Sequence, residues 1–338
     1  MKPKVGLLLG DPTGIGPELV AKLLAGHDVQ AHADLVVIGD RRVLDMGQKI
    51  AGASLAVRAL RGVEEVRFGD GTIQLLDFPG VSPEEFTLGQ LSAKAGKSVL
   101  EVLAFTLDQA KAGRIDAVVF APLNKQAMHL GGSPFPDELH FMADRLQWKG
   151  YVTEFNVLDD LWTSRVTSHV GLAQVSALIT KAEVYKAITL IDSSLRISGV
   201  EKPRLAVAAL NPHGGEGGLF GREEIDAIAP AVEQARAEGI QASGPFPADT
   251  IFRRAQGGAY DAIVSMYHDQ GQVAMKLMGF ERGVTVQGGL PVPITTPAHG
   301  TAFDIAGQGK ANPQGLWQAF VLACRMAANQ KRGGRPQA

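Results

Sequence analysis

The stretch HGTAFDIAGQGKANP, residues 299–313, is a charge-poor loop punctuated by three glycines. Glycine has no Cβ, so the backbone of such a loop is able to approach a ligand closely. The one acid of the loop, Asp304, would accept hydrogen bonds from the two hydroxyls of an adenosine ribose and would repel a 2′-phosphate. The stretch therefore predicts an adenosine site for a dinucleotide and favours NAD over NADP. The alternative is a glycine-rich surface turn with a solvated aspartate.

This adenosine loop resembles the adenine-ribose loop of the isopropylmalate and isocitrate dehydrogenase superfamily, in whose NAD-using members an acid matches Asp304. The resemblance implies an α/β fold of two lobes with α/β/α layers, and not a Rossmann fold. It also implies contacts to the cofactor from His299, Gly300, Thr301, Ala302, Asp304 and Asn312.

The composition is that of an ordinary globular protein of 338 residues, 45% hydrophobic and 20% charged, with a formal net charge of −2. Acids and bases are mixed along the chain, so there is no basic stripe for nucleic acid and no polybasic patch for a membrane. The first apolar run is too short for a signal peptide, and no segment reaches the ~20 apolar residues of a membrane span. We therefore expect a cytoplasmic protein that binds neither nucleic acid nor membrane.

Short apolar runs alternate with amphipathic segments along most of the chain, which is typical of α/β proteins. The pairs are KVGLLLG and PELVAKLLAG, DLVVIGD and RRVLDMGQKI, the helical AKAGKSVLEVLAFTLDQAKAG and AVVFAPL, and RLAVAAL, EEIDAIAPAVEQARAEG and YDAIVSMYH. Residues 131–170 differ, because their alternating, tryptophan-rich texture predicts a strand-like arm or lobe edge at a subunit interface. We predict a first lobe from residues 1–128 and 290–338 that carries the adenosine loop. Residues 129–289 would form a second lobe with the metal ligands and dimer contacts.

Three of the eight histidines lie in small, polar turns at predicted strand ends: His169 in TSHVG, His213 in NPHGGEGG and His268 in YHDQG. Neutral imidazoles suit a divalent ion such as zinc, and three protein ligands would leave open positions for a substrate, as in catalytic sites. Magnesium, manganese, cobalt and nickel are alternatives. The alternative for each histidine is a satisfied turn residue, which is common at strand ends. The single Cys324 excludes a cysteine-based metal cluster and lies in an apolar helical run.

Three charged residues are candidates for acid–base chemistry around a metal-bound alcohol: Asp249 in GPFPADT, and Asp269 and Lys276 near YHDQG. A lysine is able to donate or accept a proton once burial lowers its pKa, and an aspartate is able to orient the lysine or a ligand histidine. The alternative for each is a solvated charge on a helix face.

Two turns follow predicted strands and face the ligand side of such a fold. GDPTGIGPE, residues 10–18, opens a helix with Pro17 in its first turn, although its spacing is neither that of G-x-G-x-x-G nor of a P-loop. APLNK, residues 121–125, would place Asn124 and Lys125 beside the same cleft.

Seven motifs resemble, in order, those of the 4-hydroxythreonine-4-phosphate dehydrogenase family. They are GDPTGIGPE, APLNK, TSH, LNPHGGEGGLFGREE, GPFPADT, YHDQG and HGTAFDIAG, and they span nearly the whole chain. The resemblance implies a homodimer with its active site at the subunit interface and NAD(P) in a cleft. It implies a divalent metal on the positions of His169, His213 and His268, one of them from across the interface. It places Asp249, Asp269 and Lys276 in the substrate site.

Departures from the family pattern concern the phosphate. Residues 137–140 read Asp-Glu-Leu-His where the family has Gly-His-Thr-Glu, Ile294 replaces an arginine and Thr285 an asparagine. These changes remove donors that a phosphate dianion requires and add two acids. They predict an unphosphorylated hydroxy acid as substrate, such as a cis-dihydrodiol dicarboxylate, with 4-hydroxythreonine 4-phosphate of pyridoxal phosphate biosynthesis as the alternative.

The predicted reaction is NAD-dependent oxidation of a hydroxyl beside the metal, followed by decarboxylation of the β-keto acid. Lys276 or Asp269 would protonate the product. A non-catalytic metal- or nucleotide-binding homologue is a further alternative, and the presence of all three histidines and the lysine disfavours it. A third alternative is a transferase that holds phosphate in its glycine loops, and it is disfavoured because the chain lacks a Walker lysine-serine pair.

Overall fold

A computed structural model describes residues 2–69 and 71–333. The chain forms two compact units, one from Met1–Gly150 with Leu290–Ala338 and the other from Tyr151–Gly289. The chain leaves the first unit after Gly150, which is later than the predicted lobe boundary after residue 128, and it returns after Gly289.

The first unit contains a parallel sheet whose strands have the order β3-β4-β2-β1-β5-β12. Its strands are β1 (Lys4–Leu8), β2 (Asp34–Gly39), β3 (Val57–Leu60), β4 (Ile73–Asp77), β5 (Ala117–Phe120) and β12 (Ile294–Pro297). Its helices are α1 (Gly16–Gly26), α2 (Val29–His32), α3 (Arg41–Ala51), α4 (Ala93–Lys111), α5 (Lys125–Leu130), α6 (Glu138–Arg145) and α12 (Gln314–Gly333). The central strands are apolar along their length because both faces of a parallel sheet are covered.

The second unit contains a mixed sheet of order β11-β6-β7-β10-β8-β9, antiparallel at β11, β6 and β7 and parallel from β7 onward. Its strands are β6 (Thr153–Leu158), β7 (Leu161–Arg165), β8 (Arg204–Ala208), β9 (Gln241–Phe246), β10 (Ala262–Ser265) and β11 (Val284–Gly288). Its helices are α7 (Leu172–Leu178), α8 (Lys181–Ile197), α9 (Ala229–Ala237), α10 (Ala248–Gln256) and α11 (His268–Gly279). A π-helical turn, Glu224–Ile228, leads into α9.

The predicted strand and helix segments lie on strands and helices of the structure, so the α/β class is confirmed. The strand-like texture predicted for residues 131–170 is confirmed only for β6 and β7; the first part of this segment contains α6. Asp137 caps α6 by accepting a hydrogen bond from the His140 amide, and the buried Leu139 and Met142 have helical spacing. The capping residue and the i, i+3 spacing of the buried apolar residues therefore favour a helix here, in place of the strand predicted from the alternating pattern.

Cys324 is buried on α12, where burial raises the pKa of its thiol to about 12. A thiol with this pKa does not ionise near neutral pH, which agrees with a structural role. Among the helices of residues 2–69 and 71–333, none is long and apolar enough to cross a membrane.

Candidate active site

Two of the predicted metal ligands are brought together by the pairing of parallel strands. Beyond the ends of β7 and β10 the ladder continues, since the Thr167 amide donates to the Met266 carbonyl at 3.0 Å. His169 and His268 each follow two residues later, and their ring centroids lie 5.9 Å apart with planes inclined by 41°. The two imidazoles are therefore neighbours because each follows the carboxyl end of one of two paired parallel strands.

The His268 ring is oriented by its neighbour in the chain. Its Nδ1 lies 2.7 Å from Asp269 Oδ1. A carboxylate only accepts hydrogen bonds, so Nδ1 carries the proton and Nε2 is the nitrogen left for a metal. His268 is half-buried and Asp269 is exposed. The pair has the chemistry of a ligand histidine with its supporting carboxylate, and thus fits a divalent ion.

His213 follows the end of β8, the strand that pairs with β10 on the side away from β7. It belongs to the segment Pro212–Gly218, has a left-handed backbone with φ of 53°, and its side chain is 70% exposed. Its Nδ1 is 3.6 Å from Glu216 Oε2. Within the described residues, no group of three or more His, Cys, Asp or Glu side chains is arranged to hold a metal ion. The three-histidine site therefore stays a prediction, with two of its members adjacent in one chain.

The turn that carries His213 is held by Glu224, a residue that sequence reasoning did not single out. Glu224 is 3% exposed, and its Oε1 accepts hydrogen bonds from the amides of Leu210 and Asn211 at 2.8 and 2.7 Å. Its Oε2 accepts from Asn211 Nδ2 at 2.9 Å. The one available signal was the acidic pair that follows the glycines of GGEGGLFGREE.

The predicted acid–base residues lie at helix positions of the second unit. Lys276 is exposed and comes two turns after His268 on α11, so the two side chains share one face of that helix. Asp249 lies in the first turn of α10 and is exposed. Their roles in the substrate site stay predictions.

In the first unit, the glycine-rich turn after β1 braces the adenosine loop. The Ile15 amide donates to the Thr301 carbonyl at 3.0 Å. A Cβ on Gly14 would lie 2.8 Å from the Thr301 carbonyl oxygen, so only glycine permits this approach. The Gly89 amide, from a separate loop, donates to the Thr13 carbonyl at 2.8 Å. The turn GDPTGIGPE therefore supports the adenosine loop through its contacts with Thr301.

A second brace comes from α1. Lys22 Nζ donates to Glu18 Oε1 and to the carbonyls of Gly309 and Ala311, at 2.8 Å each. Glu18 Oε1 also accepts from the Ala311 amide at 2.8 Å, and the Glu18 side chain is 1% exposed. We call Glu18 and Lys22 the loop clamp. Sequence reasoning missed it, although acid and base four residues apart on a helix are a recognisable pattern.

The predicted cofactor residues sit on the braced loop. Asp304 is exposed, and its backbone carbonyl accepts from Gln308 Nε2 at 2.7 Å. Burial lowers the pKa of His299, although the hydrogen bond between its ring and the Gly300 carbonyl opposes that shift. Asn312 Oδ1 accepts from the Gln314 amide at 3.0 Å, at the start of α12. The Asp304 carboxylate thus faces solvent, where a ribose is able to reach it.

The residues that depart from the family's phosphate pattern serve the fold. Asp137 caps α6, and its Oδ1 lies 2.6 Å from His140 Nδ1. Burial opposes ionisation of Asp137, but the hydrogen bonds from His140 outweigh it and lower its pKa. Ile294 is fully buried on β12. Glu138 Oε2 lies 3.5 Å from Lys125 Nζ. Positions that carry phosphate donors in the family pattern are therefore occupied here by a helix-capping residue and a core residue.

Comparisons with known proteins agree along the whole chain. Residues 31–323 match the family model for the pyridoxal phosphate biosynthetic protein PdxA. A Pseudomonas aeruginosa protein with the provisional name 4-hydroxythreonine-4-phosphate dehydrogenase 2 is 53% identical over 97% of this chain and 98% of its own. The D-threonate 4-phosphate dehydrogenase of Cupriavidus necator is 41% identical, with the same coverage of 97% and 98%.

Solved structures give the same answer for the fold. A 4-hydroxythreonine-4-phosphate dehydrogenase from Klebsiella pneumoniae superposes with a TM-score of 0.84 at 36% identity, covering 97% of this chain and 98% of that one. A terephthalate 1,2-cis-dihydrodiol dehydrogenase from Burkholderia xenovorans gives 0.66 at 30% identity, with 96% and 98% covered. The predicted fold class and family resemblance are confirmed. This chain belongs to the PdxA family of dehydrogenases.

Proposed function

We propose that this protein is an NAD- and metal-dependent dehydrogenase that oxidises and decarboxylates a four-carbon hydroxy acid carrying a 4-phosphate. D-Threonate 4-phosphate and 4-hydroxythreonine 4-phosphate are its two candidate substrates. The observation that carries the proposal is near full-length identity of 53% and 41% to relatives named for 4-phosphorylated substrates. The dihydrodiol enzyme is less similar, at 30%. The prediction of an unphosphorylated dihydrodiol is therefore not supported.

In the proposed chemistry, the substrate hydroxyl loses its proton to a base while the carbon that bears it transfers a hydride to NAD⁺, and the resulting β-keto acid releases carbon dioxide. A divalent ion, when bound, would lower the pKa of the substrate hydroxyl and stabilise negative charge on its oxygen. His169 and His268 would hold that ion through ring nitrogens, and Asp269 would keep the His268 tautomer. Lys276, on the same helix face as His268, would return a proton to the product carbon.

The third ligand, His213, would come from a second copy of the chain. Three segments carry the predicted metal ligands, one of them together with Asp269 and Lys276, and each also carries one of the three most exposed large apolar side chains of the described residues. These are Leu172 at 71%, Leu219 at 73% and Leu277 at 84% exposure. Exposed apolar side chains grouped around polar functional residues are typical of an interface. A homodimer would cover them and complete the ligand set.

The phosphate then needs a cation other than the family's arginine. Lys125 follows β5 in the turn APLNK, its side chain is 45% exposed, and its ammonium lies 3.5 Å from a Glu138 oxygen. A phosphate dianion would compete with the Glu138 carboxylate for this ammonium. We assign Lys125 to the phosphate.

The test is NADH formation with D-threonate 4-phosphate, 4-hydroxythreonine 4-phosphate, unphosphorylated D-threonate and the terephthalate cis-dihydrodiol, each with zinc, manganese or magnesium. One or both phosphorylated acids should exceed unphosphorylated substrates in kcat/KM by at least about a hundredfold, since two charge-assisted hydrogen bonds contribute roughly 3 kcal/mol or more. Equal or better turnover of an unphosphorylated acid would refute the assignment. Lys125→Met should raise KM for the phosphorylated acid and leave KM for NAD unchanged.

A further inference from the structure

A buried polar network in the second unit joins the two segments that carry His169 and His268. Its centre is Arg165, the last residue of β7, which is 4% exposed. Arg165 Nη2 lies 2.7 Å from Glu154 Oε2, Nη1 donates to Asn156 Oδ1 at 3.0 Å, and Nε donates to Ser168 Oγ at 2.9 Å. The guanidinium is thus tied in three directions, which its planar fork permits and a lysine ammonium does not.

One arm of the network reaches the His169 turn. Ser168 immediately precedes His169, and its hydroxyl is the acceptor of the Arg165 Nε–H bond. Thr167, one residue earlier, is fixed to the neighbouring strand through bonds from its amide and its hydroxyl to the Met266 carbonyl, at 3.0 and 2.9 Å. The backbone leading to His169 is therefore held on two sides.

The other arm reaches α11. Asn156 Oδ1 also accepts a hydrogen bond from Gln272 Nε2. Gln272 lies four residues after His268 and four before Lys276, so these three side chains form one stripe of the helix. Anchoring the middle member of the stripe fixes the rotation of α11 about its axis, and with it the direction in which the histidine and the lysine point.

The network also occupies a position where this chain departs from its family. Asn156 pairs with Thr285 across β6 and β11, and its Nδ2 lies 3.4 Å from Thr285 Oγ1. The family pattern has an asparagine at the position of Thr285, and in this chain the side chain at that position is paired with the Asn156 amide.

We propose that Arg165, Asn156 and Gln272 are positioning residues that hold the His169 turn and α11 at the spacing required for one metal ion. The proposal rests on the proposed function, because it takes the two histidines as ligands of that ion. Partners that orient a ligand from outside the coordination sphere typically change metal affinity by about 10- to 100-fold.

The experiment measures Co²⁺ binding to the metal-free full-length protein by visible absorption, which needs neither substrate nor turnover. Gln272→Met keeps the length and helix preference of the side chain and removes the amide donor. The matched control is Gln234→Met, since Gln234 is also half-buried on a helix of this unit and donates to a side chain, Glu238. Q272M should weaken Co²⁺ binding about tenfold or more, whereas Q234M should bind as the wild type does.

Arg165→Lys gives a second test, because it keeps a positive charge for Glu154 and loses the bonds to Asn156 and Ser168. It should weaken Co²⁺ binding at least as much as Q272M. Thermal unfolding of the metal-free variants reports folding separately, so Q272M alone decides if R165K fails to fold. Wild-type affinity in folded Q272M would overturn the positioning role while leaving the proposed metal site intact. Absence of Co²⁺ binding by the wild type would overturn the metal site itself.

Discussion

Replacing Lys22 by methionine should weaken NAD binding, although Lys22 is not among the predicted cofactor contacts. The substitution keeps an unbranched side chain on α1 and removes three donated hydrogen bonds. Two of those bonds, to the carbonyls of Gly309 and Ala311, fix the far end of the adenosine loop at 2.8 Å each. The third, to Glu18, belongs to a pair whose acid is 1% exposed.

The magnitude follows from these contacts. A hydrogen bond to a charged group contributes about 1.5–3 kcal/mol, so the two bonds to the loop set an upper range of about 3–6 kcal/mol. The Lys22 side chain is 22% exposed, so water replaces part of what is lost, and we expect a loss of about 2 kcal/mol in the free energy that orders the loop. Only the ordered fraction of the loop binds NAD, and its decrease raises the apparent Kd in proportion. We expect Kd for NAD to rise about 10- to 100-fold.

The assay is calorimetric titration of NAD into the wild type, Lys22→Met and a control variant, Lys186→Met. Lys186 makes an ion pair of 2.7 Å with Glu183, but the two side chains are 50% and 39% exposed on α8. Such a surface pair contributes less than about 0.5 kcal/mol, so the control should match the wild type. An NAD Kd within twofold of wild type in a folded K22M protein would refute the view that the clamp orders the loop.

Three further changes test the cofactor loop and the metal site. Asp304→Asn should lower kcat/KM with NAD and raise it with NADP, because a repulsive charge is removed; an unchanged ratio of the two would contradict the ribose assignment. Mixing His213→Ala with His268→Ala protein should restore about a quarter of wild-type activity, since half of randomly formed dimers hold one intact site; no recovery despite verified subunit exchange would argue against a shared site. Burial lowers the pKa of His299 from its usual 6.5, so the folded state binds fewer protons and loses stability as pH falls below that value; His299→Gln should unfold with a weaker pH dependence between pH 7 and 5, as measured by urea denaturation.

The sequence predicted well what depends on local pattern. Apolar runs and amphipathic segments located the strands and helices because burial of a repeating face is a property of neighbouring residues. Residues 131–150 were the exception, since one capping residue, Asp137, turned an alternating pattern into a helix. The adenosine loop stays a prediction, made from glycine spacing and a single acid, which are visible without any tertiary contact.

Contacts between distant parts of the chain were not available from the pattern. The bond from Lys22 to Gly309 joins residues 287 positions apart, and the bond from Gln272 to Asn156 joins residues 116 apart. Proximity of His169 and His268 depends on the pairing of β7 with β10, which the strand patterns do not specify. The family resemblance predicted this proximity, because related chains pair these strands in the same register.

The substrate prediction shows where residue-by-residue transfer reaches its limit. The absence of an arginine and of a histidine–threonine pair predicts loss of phosphate binding only if no other cation binds the same anion. In the structure those positions belong to the fold: Ile294 is core, and Asp137 is a helix cap. These residues therefore build α6 and β12, and under the proposed function a group such as Lys125 would recognise the phosphate. A departure from a family motif identifies a different set of contacts, and the ligand follows only once the replacement contacts are known.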